Sequence, residues 1–456
     1  MAAPTSEATP AAAGQSPVPA PASGAATTPA APKAAAAAAT AAKSDGGPKP
    51  AAASPSPGGG AAPAPGAAGV QGGGGCSGAT PVPAAPAAGP ADTSPIVIGS
   101  VGTLSGPAGS TIRQTAEGVK LWAAWANAHG GAAGHQVKLL IQDDGGDPAR
   151  YRSALQTLVE KENAVALVGN ADALTGASGL DYINQKAVPY IGGDGGGDWF
   201  YQGPTYFPQG AVGEALMESE IYDAGGYAKS LGKKKFGIVT CQEVDICRRS
   251  HRIFTAKAAD AGLDLVYQAQ TSLTQPDFTA ECLAAQRAGA ELVELMLDAN
   301  SIRRFGQSCA RQSYHPFLGW PAGIAQEDEQ DEPALEGART TLFTFSWIDR
   351  SNPATQEFAD AIGRFGKDLK PITAGHTGGW TAGKLLEKAL LAVPGKVTRE
   401  SVLAGLWTLR NENLGGLTSP LTFTKGQNAP RSRCWTTIAI KGGRWTALRN
   451  GTFVCH

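Results

Sequence analysis

From residue 95 onward, short apolar runs alternate with stretches whose apolar residues recur every three or four positions. The runs at 95–101, "VKLLIQDD" at 137–144, "AVALVG" at 164–169 and "VPYIGG" at 188–193 predict strands. Helices are predicted between them near 112–128, 148–162 and 176–186. In the first of these, Ala116, Val119, Trp122, Ala123 and Ala126 form one apolar stripe. Asp147-Pro148 supplies the second with an N-cap and a first-turn proline. Strand and helix in alternation imply a parallel sheet covered on both faces.

The alternation then restarts. Strands are predicted at 234–241, 263–270, 290–298 and 315–320, with helices near 245–261, 276–288 and 300–312; Pro276-Asp277 begins the middle one. "TTLFTFSW" at 340–347 reads as an extended run on which the chain crosses back. Helices follow at 353–367, 378–392 and 398–407. "SPLTFTKGQ" and "CWTTIAIKGGRWTAL" close the chain as an antiparallel strand pair turning at Lys441-Gly442-Gly443. The predicted fold is α/β, with two doubly wound lobes joined by more than one crossing. Such open sheets bind ligands at the carboxyl ends of their strands.

Residues 1–94 are different in kind. They are almost entirely Ala, Pro, Gly, Ser and Thr, with Val18, Val70 and Val82 the only larger apolar residues after Met1. Too little apolar surface is available there to offset ordering entropy, so a stiff, disordered tether is expected. The formal net charge is −1 and no long basic stripe exists, which argues against nucleic acid as a partner. Lys233-Lys234-Lys235 reads as a solvated turn. No stretch of about 18 apolar residues is present to cross a membrane.

Seven cysteines occur, six in sequence-local pairs: Cys241 with Cys247, Cys282 with Cys309, and Cys434 with Cys455. No C-x-x-C spacing supports zinc, so disulfides in an oxidising, extracytoplasmic compartment are expected. Cys76 stands alone after a glycine run. Met1 is followed by no basic segment and no apolar core of a signal peptide. The export signal is therefore expected to lie upstream of this sequence or to have been lost from it.

The turn after the first strand, "GTLSGPAGS", could offer backbone amides to a phosphate. It lacks the Lys of a P-loop and the spacing of a dinucleotide turn. No nucleophile elbow or H-E-x-x-H occurs, and His376 has no partner in sequence, so a structural histidine is expected. Asp143-Asp144 reads as a turn or cap. "YIGGDGGGDWF" at 190–200 reads as a backbone cradle, with Asp194 a charged contact and Trp199 or Phe200 a stacking wall. Two acids are too few for calcium.

"IVIGSVGTLSGPAG", "HGG…G", "DD…DP" and "VP.I", followed by "QPDFTAECLAAQRAGAELVELMLDANSIRR" and "GGWTAGKLLEKAL", stand in the order found in type I periplasmic solute-binding proteins. The chain resembles the leucine/isoleucine/valine-binding branch that serves ABC importers. That resemblance implies two Rossmann-like lobes, 95–209 with 346–426 and 210–345 with 427–456, closing on a small polar solute without catalysis. It implies solute contacts at Ser105, Gly106 and Thr111; at Ala173, Leu174 and Thr175; and at Asp194, Gly195 and Gly196. From the second lobe it implies Glu243 to Asp245, including Val244, then Asp298 to Asn300 and the region of Trp320.

Amino-acid binders of this branch usually place Ser at the position of Ala173, a hydroxyl near Gly196, and an acid near Pro321 or Ala322. A solute with a cationic or hydroxyl-rich end is therefore as plausible as a branched-chain amino acid. The resemblance implies a monomer delivering solute to a membrane permease, with no metal and no cofactor. A sensing module of the same fold is the rival reading, and an α/β enzyme the third.

Overall fold

The computed structural model describes residues 92–106, 109, 112–393 and 395–456. Cys76 and the expected tether up to residue 91 lie outside the described residues.

The first sheet is parallel and runs β2-β1-β3-β4-β5. Its strands are β1 (Ile96–Gly102), β2 (Val137–Asp143), β3 (Ala166–Asn170), β4 (Tyr190–Gly193) and β5 (Tyr206–Phe207). The connecting helices are α1 (Gln114–Ala128), α2 (Pro148–Gln156) and α3 (Leu180–Gln185). As predicted, Asp147 caps α2, its Oδ1 accepting from the amides of Ala149 and Arg150. The predicted helix over 148–162 stays α-helical only to Gln156 and widens into a π-helical turn at Thr157–Lys161.

After α4 (Gly213–Ser230) the second sheet begins. It comprises β6 (Lys235–Cys241), β7 (Asp264–Thr271), β8 (Leu292–Met296), β9 (Phe317–Pro321) and β10 (Arg339–Leu342), with α5 (Asp245–Lys257), α6 (Thr279–Ala288) and α7 (Ala299–Arg311) between them. Helix α6 starts later than predicted, at Thr279, whose amide donates to Asp277 Oδ1. The extended run predicted to Trp347 leaves the ladder after Leu342.

The chain then returns to the first sheet. There α8 (Pro353–Phe365), α9 (Ala374–Leu390) and α10 (Arg399–Leu406) form, and α9 packs on β3, β4 and α1. Helix α9 begins four residues before its prediction. Thr373 and His376 form a capping box, and the wholly buried His376 has the structural place expected of it. Finally β11 (Cys434–Ile440) runs antiparallel to β10, and β12 (Trp445–Ala447) and β13 (Val454–Cys455) pair with β11. The hairpin turn at 441–443 forms, but 419–427 makes no ladder strand; Leu421 only bridges Glu412.

Three crossing segments lie side by side. Thr418 donates its hydroxyl to the Gln209 carbonyl, the Phe345 amide donates to Leu417 O at 2.8 Å, and Gly210 packs on the Phe343 backbone. The six paired cysteines form the bridges Cys241–Cys247, Cys282–Cys309 and Cys434–Cys455. The lysine turn is ion-paired at the surface, Lys233 with Glu291 and Lys234 with Asp264.

The second lobe also buries a charge network. Arg339, 1% exposed, bonds Glu294 Oε2 at 2.5 Å and Asp223 Oδ2 at 3.1 Å. Asp223 Oδ1 accepts from Trp435, Thr437 and Arg449. Burial pushes Glu294 up to about 7 and raises Glu220 well above the usual carboxylate range.

Candidate functional site

The register of the first sheet decides what stands at its carboxyl edge. Gly102 pairs with Asp143 on one side and bridges Ala171 on the other, while Asn170 pairs with Gly193. Thr103, Asp144, Asp172 and Asp194 therefore leave the sheet within one residue of a common line. Gly102 permits this closeness, since a Cβ there would lie 2.1 Å from the Ala171 carbonyl oxygen.

Asp143 and Asp144 shape the first lip. Asp143 Oδ1 accepts from the amides of Leu104, Ser105 and Gly145; burial pushes its carboxyl up, but these bonds together with the Ser105 side chain outweigh it and leave it below the usual range. The buried Asp144 accepts from Thr103 through Oδ1 at 2.9 Å and from Thr175 through Oδ2 at 2.7 Å. One carboxylate thus ties the loop after β1 to the loop after β3. Ser105 and Gly106 are exposed on that lip, and Gly106 has φ +76°. Thr111 lies outside the described residues.

Behind the second lip, Asp172 is wholly buried. Its Oδ2 accepts from the hydroxyls of Tyr151 and Tyr190, both at 2.5 Å, while Oδ1 has no partner. Burial, and then the charge of Asp194, push its carboxyl up to about 8. Tyr190 stacks on Tyr206, whose buried hydroxyl is also without a partner. In front of Asp172 the loop continues through Ala173, the exposed Leu174 and the buried Thr175.

Asp194 joins this loop to the next. Its Oδ2 accepts from the Ala173 amide at 2.8 Å and its Oδ1 from the Gly196 amide at 2.9 Å. It remains partly exposed, and burial raises its carboxyl to about 6 in spite of those two bonds. The Gly195 carbonyl accepts from Gly213 at the start of α4. Phe200 is wholly buried against Tyr190 and Tyr206 and presents no face to a solute; Trp199 is 8% exposed and packs over Gly176.

In the second lobe, Glu243 is occupied locally, accepting from the Ser272 hydroxyl at 2.6 Å and the Leu273 amide at 2.8 Å. Val244 precedes α5, within the loop closed by the Cys241–Cys247 bridge. Asp298 caps α7 through the amides of Asn300 and Ser301; Asn300 is exposed. Trp320 is wholly buried against Trp445, beneath rather than on the surface. The reach between lobes comes from Arg249 of α5, whose guanidinium meets Asp198 Oδ2 at 2.8 Å and the Gly196 carbonyl at 3.2 Å.

The structure thus gathers Ser105, Gly106, Ala173, Leu174, Asp194 and Gly196 along one edge, and Glu243, Val244, Asp298 and Asn300 along the corresponding edge of the other sheet. Sequence reasoning missed Asp172, Thr103 and Arg249, and read Asp143 and Asp144 only as turn residues. A signal was present: three successive strands each run into an aspartate within two residues of their end, in "QDD", "NAD" and "GGD". Among the described residues no group of His, Cys, Asp and Glu is arranged to hold a metal ion.

A family model described as "periplasmic binding protein" matches residues 95–444. No curated protein matches the sequence. Among solved structures, the chain is similar to a possible leucine/isoleucine/valine-binding protein from Rhodopirellula baltica: TM-score 0.65, 19% identity, covering 80% of this chain and 98% of that one. It is similar to an ABC-transporter solute-binding protein from R. palustris in complex with benzoate: TM-score 0.63, 18% identity, covering 79% and 98%. A leucine binding protein from Thermotoga maritima gives TM-score 0.61 at 16% identity, covering 79% and 99%.

Proposed function

We infer the role of the protein from its family: the chain belongs to the periplasmic binding proteins, which are solute binders rather than enzymes and act outside the cytoplasm. We propose that it is the substrate-binding component of an ABC importer, taking up a small polar solute between its lobes and presenting it to a membrane permease. Three crossing segments, held side by side by one backbone bond and one hydroxyl-to-carbonyl bond, suit a hinge that closes when one solute touches both lobes.

The observation that carries this reading is the polar row at the carboxyl ends of β1 to β4. It is built from backbone amides, hydroxyls and aspartates. In chemistry, it favours a solute whose end at the first lobe donates hydrogen bonds, because Asp194 is the partly exposed acceptor there. The neighbours show how widely this fold ranges, from a leucine binding protein to one in complex with benzoate.

Calorimetry and thermal shift over amino acids, amides, polyamines, sugars and aromatic acids test the reading. One class is expected to bind at 1:1 stoichiometry and raise the melting temperature by mass action. A protein that binds no member of the panel, or that converts one chemically, overturns it.

A further inference from the structure

The loops at the first-lobe edge hold the chain's own carboxylates where an anionic solute would need donors. Asp194 spans two of those donors: the Ala173 amide donates to its Oδ2 at 2.8 Å and the Gly196 amide to its Oδ1 at 2.9 Å. One amide on each oxygen of a carboxylate is an arrangement that seats an anion. Gly196 permits it, because a Cβ there would lie 2.6 Å from the Ala173 Cβ and hold the two loops apart.

Neighbouring donors are committed in the same way. The hydroxyls of Thr103 and Thr175 and the Gly146 amide go to Asp144, and the amides of Leu104 and Ser105 go to Asp143. The peptide carbonyls beside Asp194 are engaged as well, Gly195 O by the Gly213 amide and Gly196 O by Arg249. Arg249, which crosses from the second lobe, directs the rest of its guanidinium to Asp198 and Asp245. Among the described residues, no arginine or lysine bonds Asp144 or Asp194. With one amide on each oxygen, the partly exposed Asp194 keeps lone pairs for further donors. This edge therefore offers an arriving molecule acceptors and a negative charge without a bonded counterion.

Resting on the solute-binding reading above, we propose that the solute is cationic at its first-lobe end: an ammonium, amidinium or guanidinium. Asp194 is the residue that sets this specificity. It accepts the cation directly, and by filling the amides of Ala173 and Gly196 it closes the same place to a carboxylate. Attraction of one charge and refusal of the other thus come from one side chain. Emptying the seat has a double effect: a cation loses its acceptor, and a carboxylate gains two donors.

The test compares the full chain as wild type, Asp194→Asn and Asp194→Ala, in two arms. The first asks whether the two amides form an anion seat. Wild type and Asp194→Ala are melted in sodium formate and in sodium chloride of equal ionic strength. Formate matches the deleted carboxylate in size and should raise the melting temperature of Asp194→Ala saturably, leaving wild type unmoved. An equal response of the two proteins overturns the proposal. Asp194→Asn, which keeps an acceptor for one amide, is the milder variant for the second arm should the alanine variant fail to fold.

In that arm, 1,4-diaminobutane and benzoate are titrated calorimetrically at pH 7.5. Wild type should bind diaminobutane about tenfold or more tighter than benzoate. Asp194→Asn should lose about tenfold or more of the diaminobutane affinity, the scale of one charge-assisted hydrogen bond. Asp194→Ala should move the preference toward benzoate. Benzoate bound as tightly as diaminobutane by wild type, or a panel solute whose affinity is unchanged in Asp194→Asn, overturns this proposal and leaves the solute-binding reading standing. If the whole solute panel fails to bind, that reading falls and takes this one with it.

Discussion

At the carboxyl edge of the first sheet, Asp144, Asp172 and Asp194 are held by hydroxyls and amides; among the described residues, no arginine or lysine bonds them. In the interior of the second sheet, Glu294 and Asp223 grip Arg339, and Arg449 joins from the rim. Buried carboxyl groups occur in both places, and what differs is the countercharge. An acid paired with an arginine has its charge offset inside the fold. An acid satisfied only by neutral donors is left free to respond to a proton or to whatever arrives beside it.

Replacing Arg339 should break this contrast most strongly. Arg339→Met strands Glu294 and Asp223 without a counterion and is expected to cost about 3–5 kcal/mol in urea denaturation. Asp172→Asn, which keeps an acceptor for both tyrosines, should cost far less; an equal loss would mean that the first-lobe acid is equally structural. Next comes the covalent asymmetry, since Cys282–Cys309 and Cys241–Cys247 lie within the second lobe. The double variant Cys282→Ala/Cys309→Ala should lower stability by about 3 kcal/mol. Hydrogen exchange should place the loosening around α6 and α7, and leave β1 to β4 protected.

Gly176→Ala should cost about 1–3 kcal/mol by overpacking Trp199 against Asp172, with a change in tryptophan fluorescence. The remaining effect is one of pH. Asp172 and Glu329 titrate near 8, Glu294 near 7 and Asp194 near 6 in the folded chain, all above their unfolded values. The native state therefore holds more protons than the unfolded one across this window, and stability falls as pH rises. Calorimetric melting should show a higher melting temperature at pH 6 than at pH 8, with the difference reduced in Asp172→Asn.

Much of the fold could be read from alternation, because a parallel strand buried on both faces is a continuous apolar run and each helix has a stripe. The first turn of α9 could not. "AGHTGGW" is poor in helix formers, but its glycines let α9 and α1 touch at the backbone: a Cβ on Gly379 would meet Thr115 O, and one on Gly118 would meet His376 O. Packing overrides propensity there. At the site, the loops after β1, β3 and β4 were legible from their place after strands. The roles of Asp144 and Asp172 were not, because an acid after a strand looks like any turn residue until register brings three of them together. The Arg339 network joins residues 45 and 116 positions apart, beyond the reach of any local pattern.

The pairing of β10 with β11 has a further consequence in time. Arg339 lies opposite Ala439, one hundred residues later, and α8, α9 and α10 must dock on the first sheet in between. The first sheet has all its strands by Phe207 but lacks the helices that cover it until α8 to α10 are made, and the second sheet waits for β11 and β12. Contacts of such long range slow folding, so a polypeptide emerging in order stays incomplete until residues 434–447 are available.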